Sequence, residues 1–241
     1  MASAPAVPLA RYPSNMDHQS SDTTTANHSA EAPETLYSPT AGTHRTYHID
    51  FSWGKFKSLI TDKGDPTSTP LYIVNYKAFS PHLVFKSASS DTAFGTGTIH
   101  PISINAECTV HDRPIKLKAL KRFKTSYEHQ SLAFSDTAEL VPMTWTGSVG
   151  LKTWEFVCLD EAQMPVAKCV INMWGIKRVG WIEFLGKRAA ESEKARDEII
   201  VTGMTLMYCM ALRSNNILSL FGAVFAKTGK EGNDATKPHA E

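Results

Sequence analysis

Arg113, Lys116, Lys118, Lys121, Arg122 and Lys124 place six cations in a twelve-residue stretch that contains no acid. Such a run is suited to anions, whether a phosphate or the headgroup of an acidic lipid. If the stretch is extended, successive side chains alternate in direction. Lys116 and Lys118 then line one face while Ile115, Leu117 and Ala119 line the other, giving a row of charge above a row of core. The competing explanation is a lysine-rich solvent face that guards a strand edge against aggregation. A second basic pair, Lys177 and Arg178, precedes Trp181, with Lys187 and Arg188 a strand further on. The candidate anion site is therefore Arg113, Lys116, Lys118, Lys121, Arg122, Lys177 and Arg178, and it depends on whether the two groups converge. Phe123 is one aromatic in the first run, too little for stacking single-stranded nucleic acid. No nucleic-acid partner is expected.

Other patterns that carry chemistry are incomplete. Phe94-Gly95-Thr96-Gly97-Thr98 has two glycines but neither a Walker lysine nor a following helix, and reads as a turn or bulge. Gly147-Ser148-Val149-Gly150 lacks the glycine two before the serine that a nucleophile elbow needs. The nine histidines show no metal-ligand spacing. His111 and Asp112 are adjacent, and neighbouring residues of a strand point to opposite faces. No catalytic residue, cofactor or metal is expected. Trp145, Trp154, Trp174 and Trp181 read as core or barrel-rim side chains.

These residues need a scaffold, and the chain is patterned for one. Tyr47, Ile49, Phe51 and Trp53 alternate with polar residues at the strand period of two. Strands of this kind are expected at Leu71 to Tyr76, His82 to Lys86 and Thr98 to Asn105. Cys108 to His111 and Pro114 to Ala119 form a hairpin across Asp112-Arg113. Further strands are expected at Met143 to Val149, Lys152 to Leu159, Val166 to Met173 and Gly180 to Leu185. Roughly ten short strands precede any helical period, and closely spaced strands of this number point to a sandwich or barrel.

A segment without charge between Glu198 and Arg213 then follows, from Ile199 to Leu212. A helix apolar on every side belongs in the interior. Asp197 and Glu198 suit its amino end, Arg213 its carboxyl end, and Ser214-Asn215-Asn216 a stop. Gly203 would let a strand side chain approach its backbone. A closed antiparallel barrel threaded by this helix satisfies both patterns. The apolar residues Ile217 to Ala226 do not make a span with it, because a crossing needs about 20 apolar residues and Arg213 to Asn216 interrupt.

Composition bounds the rest. Lysine and arginine total 25 against 24 acids, so any electrostatic role is local. Cys108, Cys158, Cys169 and Cys209 are far apart, and Ala4 to Ala10 is too short and proline-broken for a signal peptide. This reads as a cytoplasmic protein with free thiols, at most peripheral to membranes or nuclear. Residues 1–43, rich in Ser, Thr, Ala and Pro, read as a disordered tail. Residues 44–228 read as the barrel domain, with the helix over about 192–214, and 229–241 as a polar tail.

The strand from Trp154 to Val157, the strand Gly180-Trp181-Ile182-Glu183-Phe184 and the acid-led apolar helix from Asp197 to Leu212 resemble the tubby C-terminal-like superfamily. That group includes tubby, the LURP-one-related plant proteins and the phospholipid scramblases. The resemblance spans about Tyr47 to Ala226, and the low-complexity start and the Ser214 to Asn216 ending look most like fungal members. It implies a barrel of about twelve strands around a hydrophobic C-terminal helix. Tubby-type members bind phosphoinositide headgroups through a basic pair that no motif here places. The cysteine cluster and calcium-binding segment of scramblases have no counterpart, so scrambling is not implied. The expectation is a non-enzymatic binding module that recognises an anionic lipid headgroup or a protein partner through a basic face. The alternative is a small-molecule barrel, an accessory enzyme or carrier with its pocket at a barrel mouth.

Overall fold

The computed structural model describes residues 44–100, 103–120, 125–150, 152–172 and 174–228, with side chains as far as Ser214 and excluding that of Val149. The tails expected at 1–43 and 229–241 lie outside the described residues.

Twelve antiparallel strands close into a barrel in which every strand pairs with its neighbours in sequence and β1 (Arg45–Ser52) closes on β12 (Arg178–Phe184). Between them run β2 (Lys57–Asp62), β3 (Pro70–Tyr76), β4 (Leu83–Ser87), β5 (Ala93–Ile99) and β6 (Ala106–Val110). They are followed by β7 (Arg113–Ala119), β8 (Ser126–Ser131), β9 (Val141–Val149), β10 (Thr153–Leu159) and β11 (Pro165–Asn172). A short helix α1 (Lys187–Glu191) leads into α2 (Glu193–Thr228). Ile199, Ile200, Val201, Leu206 and Cys209 of α2 are wholly buried among inward residues such as Phe85, Leu117, Trp145, Phe156 and Ile182. The helix thus replaces the water that an empty barrel of this size would hold.

Several expectations shift. The strand placed at Thr98 to Asn105 is β5, Ala93–Ile99. Gly95 and Gly97 lie inside it, facing the helix. A Cβ on Gly95 would come within 2.7 Å of Val201 Cγ2, and one on Gly97 within 2.3 Å of Thr205 Oγ1. The irregularity expected there falls at Phe94, where the register against β4 shifts. The glycines themselves let the helix lie close to the wall. Gly203 does the same from the helix side, with Trp145 Cη2 3.0 Å from where its Cβ would stand. The hairpin turn is His111-Asp112, both at positive φ (46° and 62°), and not Asp112-Arg113, since Arg113 pairs with Val110. This is the backbone of a primed two-residue turn.

Two strands went unpredicted. β2 has a mixed pattern, and β8 (Ser-Tyr-Glu-His-Gln-Ser) buries His129 and Ser131, so its inward face is polar in sequence. The helix also does not stop at Ser214 to Asn216. Serine and asparagine are only weak breakers, no glycine or proline stands between Met204 and Phe221, and the Ser214 hydroxyl donates to the Met210 carbonyl at 3.0 Å, one turn back. Among the described residues no helix is long and apolar enough to cross a membrane.

Candidate functional site

In an up-and-down barrel consecutive connections alternate between the two ends. The helix enters at the end that carries the β6–β7 turn, where His111 Nε2 donates to Asp197 Oδ2 at 2.8 Å. It leaves at the other end, where Arg213 donates to Tyr127 Oη at 2.6 Å and to the Ser103 carbonyl at 3.0 Å. The two ends differ in charge. Among the described residues, the connections at the exit end hold Lys55, Lys77, Lys152 and Lys177 and no aspartate or glutamate. The five strand-to-strand connections at the entry end hold Asp65, Asp91, Asp112, Asp136, Glu139, Asp160 and Glu161 against Lys63 alone. The segment from Lys187 to Glu198, which leads the helix in, is balanced, with four bases and four acids. A chain of near-zero net charge is therefore a polar object.

Apolar exposure is segregated too. Of the ten large apolar side chains exposed among the described residues, seven sit on exit-end connections. Trp53 and Phe56 are on β1–β2, Phe79 on β3–β4, Ile104 on β5–β6, Leu120 on β7–β8, and Trp174 and Ile176 on β11–β12. The first and last of these connections are tied together, Trp53 Nε1 donating to the Ile176 carbonyl at 2.8 Å and Phe51 N to the Lys177 carbonyl at 2.7 Å. Their sequences, Trp53-Gly54-Lys55-Phe56-Lys57 and Trp174-Gly175-Ile176-Lys177-Arg178, each combine a Trp-Gly pair, a further apolar residue and two basic residues. Behind them opens a cavity of about 270 Å³ lined by Phe51, Trp53, Phe56, Tyr76, Met207 and Tyr208 among others. Phe51 packs edge-on against Trp53 (4.8 Å), Phe56 (5.7 Å) and Tyr76 (5.6 Å), and Tyr208 of the helix completes the group at 5.2 Å from Tyr76. Burial pushes the Tyr76 phenol up to about 12 even though Ser58 bonds its oxygen, so it is a neutral wall of the cavity.

The sequence-based site divides across this arrangement. Lys116 and Lys118 are exposed, with Ile115 and Leu117 buried behind them, as the alternation requires. Lys116 stands opposite Glu107 and Lys118 opposite Glu128 in the register, while the Glu107 carboxylate itself lies 3.5 Å from His100 Nε2. Arg113 is half-buried and turned to the helix, paired with Glu198. Lys177 is exposed at the exit end, and Arg178 beside it pairs with Asp50 at 3.1 Å. Four strands separate β7 from β12 by the shorter way round, so the two basic groups share no face. Lys121 and Arg122 lie outside the described residues. The aromatic group at Trp53, Phe56 and Tyr208 had a sequence signal in the repeated Trp-Gly segments, which only the barrel closure brings together.

At the entry end Glu198 is 1% exposed and meets Arg113 and, through Oε1, His129 Nε2 at 3.3 Å. Burial pushes its carboxyl up, but His129, Ser131 and Arg113 outweigh that and hold it below the ordinary glutamate value. Asp197 shifts the other way, raised by burial that His111 and Tyr72 only partly offset.

No protein-family model and no curated protein matches the chain. Among solved structures, the X-ray structure of a protein from Arabidopsis thaliana is similar at 12% sequence identity and a TM-score of 0.42, over 72% of this chain and 93% of that one.

Proposed function

We propose that the protein is a non-enzymatic module that docks its helix-exit end on an anionic membrane surface. The observation that carries this is the segregation at that end: among the described residues its connections hold four lysines, no acid, and seven of the ten exposed large apolar side chains. Aromatic rings that enter the headgroup region beside lysines that meet lipid phosphates are the two components of peripheral attachment. Each lysine or arginine near an acidic leaflet contributes about 1 kcal/mol, screened by salt. Helix α2 runs on past Arg213 to Thr228 at this end, through the apolar sequence of residues 217–226. A closed barrel threaded by an apolar C-terminal helix supports a tubby-like assignment for the chain. On this reading the ligand is a lipid headgroup such as a phosphoinositide, recognised by Lys177 with Lys55, and not by the Lys116 and Lys118 row.

The test is co-sedimentation of the full chain with neutral, phosphatidylserine and phosphoinositide vesicles at low and moderate salt. Salt-sensitive binding to the acidic vesicles is expected, lost in Lys55→Glu/Lys177→Glu and retained in Lys116→Glu/Lys118→Glu. Loss in the second variant and not the first would return the site to β7, and absence of binding to any vesicle would remove the membrane reading.

A further inference from the structure

Helix α2 does not fill the barrel evenly. At Val201 and Thr205 it is pressed against β5, where Gly95 and Gly97 leave no room for a methyl group between wall and helix. Across the ring of twelve strands, β5 faces β11. On that far side the next stretch of helix, from Met204 to Ala211, stands off β10 to β12 and β1, and the space left is the exit-end cavity of about 270 Å³. An apolar cavity of roughly 150 Å³ already stays dry and takes up a hydrocarbon guest.

The wall decides what enters. Among the described residues no charged side chain lines it. Its polar atoms are largely used within the protein: Tyr76 Oη with Ser58 Oγ at 3.1 Å, Trp154 Nε1 to the Gly150 carbonyl at 3.0 Å, and Trp53 Nε1 to the Ile176 carbonyl at 2.8 Å. Met204 and Met207 add adaptable thioether surface. Phe56 sits at φ 45°, in the left-handed region that a bulky side chain avoids, yet it is half exposed, so the core gains little from it. That backbone holds its ring at the mouth of the cavity, edge-on to Phe51 and Tyr76 at 5.7 Å each. Residues in such conformations cluster at ligand clamps. The mouth itself is basic. Lys55 lies between Trp53 and Phe56, and the Lys177 carbonyl accepts from Phe51 N at 2.7 Å, so both lysines belong to the connections that frame the opening. Asp50, the acid beside Phe51, is taken by Arg178 at 3.1 Å. Aromatic walls alone would also admit an organic cation. Two lysines at the mouth and no carboxylate in the wall select an anion instead.

We propose that the exit-end cavity binds a single-chain anionic amphiphile, with the hydrocarbon chain in the cavity and the head at Lys55 and Lys177; a fatty carboxylate is the simplest such ligand. This rests on the reading of the exit end as the face that meets anionic lipid, and adds that one chain is drawn into the barrel mouth.

The test is titration calorimetry of the full chain at neutral pH with hexanoate, octanoate and decanoate, each below its micelle threshold. Decyltrimethylammonium supplies the same chain length with the opposite head. Saturable binding of one decanoate is expected, with affinity rising about fourfold per methylene along the series and about tenfold weaker binding of the cation. Ala211→Phe, which fills the cavity from the helix, should weaken decanoate binding about tenfold. Phe56→Asp suits the left-handed backbone, places a carboxylate at the mouth and should weaken it as much; it changes an exposed residue and guards against misfolding of the first variant. No saturable decanoate binding, no gain with chain length, equal binding of the cation, or wild-type affinity in Phe56→Asp would each overturn the proposal. Vesicle sedimentation of the same preparation separates the two readings. Decanoate binding without sedimentation keeps the cavity site and removes membrane docking, and sedimentation without decanoate binding does the reverse.

Discussion

Arg113 on β7 and Glu198 on α2 form an ion pair that pins the start of the buried helix to the barrel wall, with His129 bonded to the second carboxylate oxygen. Removing the acid leaves an arginine and a buried imidazole without their partner, the costly way to break such a pair. Glu198→Gln should lose about 3 kcal/mol of stability at neutral pH. Because the folded-state pKa of Glu198 is lowered, its contribution is full above the unfolded carboxylate value of about 4.3 and is lost as pH falls through the folded value. Denaturant melts should therefore show a wild-type advantage that is constant from pH 7 to pH 5 and shrinks in stronger acid. Asp197 has a raised pKa, so its ionised form opposes folding above that value, and Asp197→Asn should be the milder change at neutral pH.

Gly97 faces Thr205 with no room for a methyl group. Gly97→Ala should cost about 2 kcal/mol through overpacking. Thr205→Ala removes the atoms that would clash, so the double variant should be more stable than the sum of the singles predicts. A double-mutant cycle by denaturant melts measures the coupling, and strict additivity would mean that the wall and helix move apart freely at this point.

All four cysteines are buried, and burial raises each thiol, Cys108 to about 12. Thiolate is the reactive species. A colourimetric thiol reagent at pH 8 should label none of them in the folded protein and all four in denaturant, at a rate in native buffer that follows unfolding. Fast labelling of one thiol in native buffer would show that its wall opens locally.

How much of this was readable in advance follows from the range over which each signal acts. Alternation along β1, β7, β10 and β12 is a property of adjacent residues, so those strands and their inward faces were legible, including Lys116 and Lys118 pointing out above Ile115 and Leu117. The uncharged segment from Ile199 to Leu212 declared a buried helix, and many short strands around one such helix leave few solutions but a threaded barrel. β8 escaped because His129 and Ser131 are buried for Glu198, a partner 69 residues from His129, and a polar inward face looks like a loop until that partner is in place. Ser214 to Asn216 looked like a stop because capping preferences are local, while an unbroken hydrogen-bond ladder carries the helix on. The candidate sites depended most on tertiary structure. A run such as Arg113 to Lys124 is visible in sequence, but only the tertiary structure turns Arg113 inward to Glu198 and sets Lys116 and Lys118 opposite Glu107 and Glu128. The lysines described at the exit end, Lys55, Lys77, Lys152 and Lys177, come from four separate connections, and only barrel closure, which puts alternate connections at one end, separates them from the acids of the other.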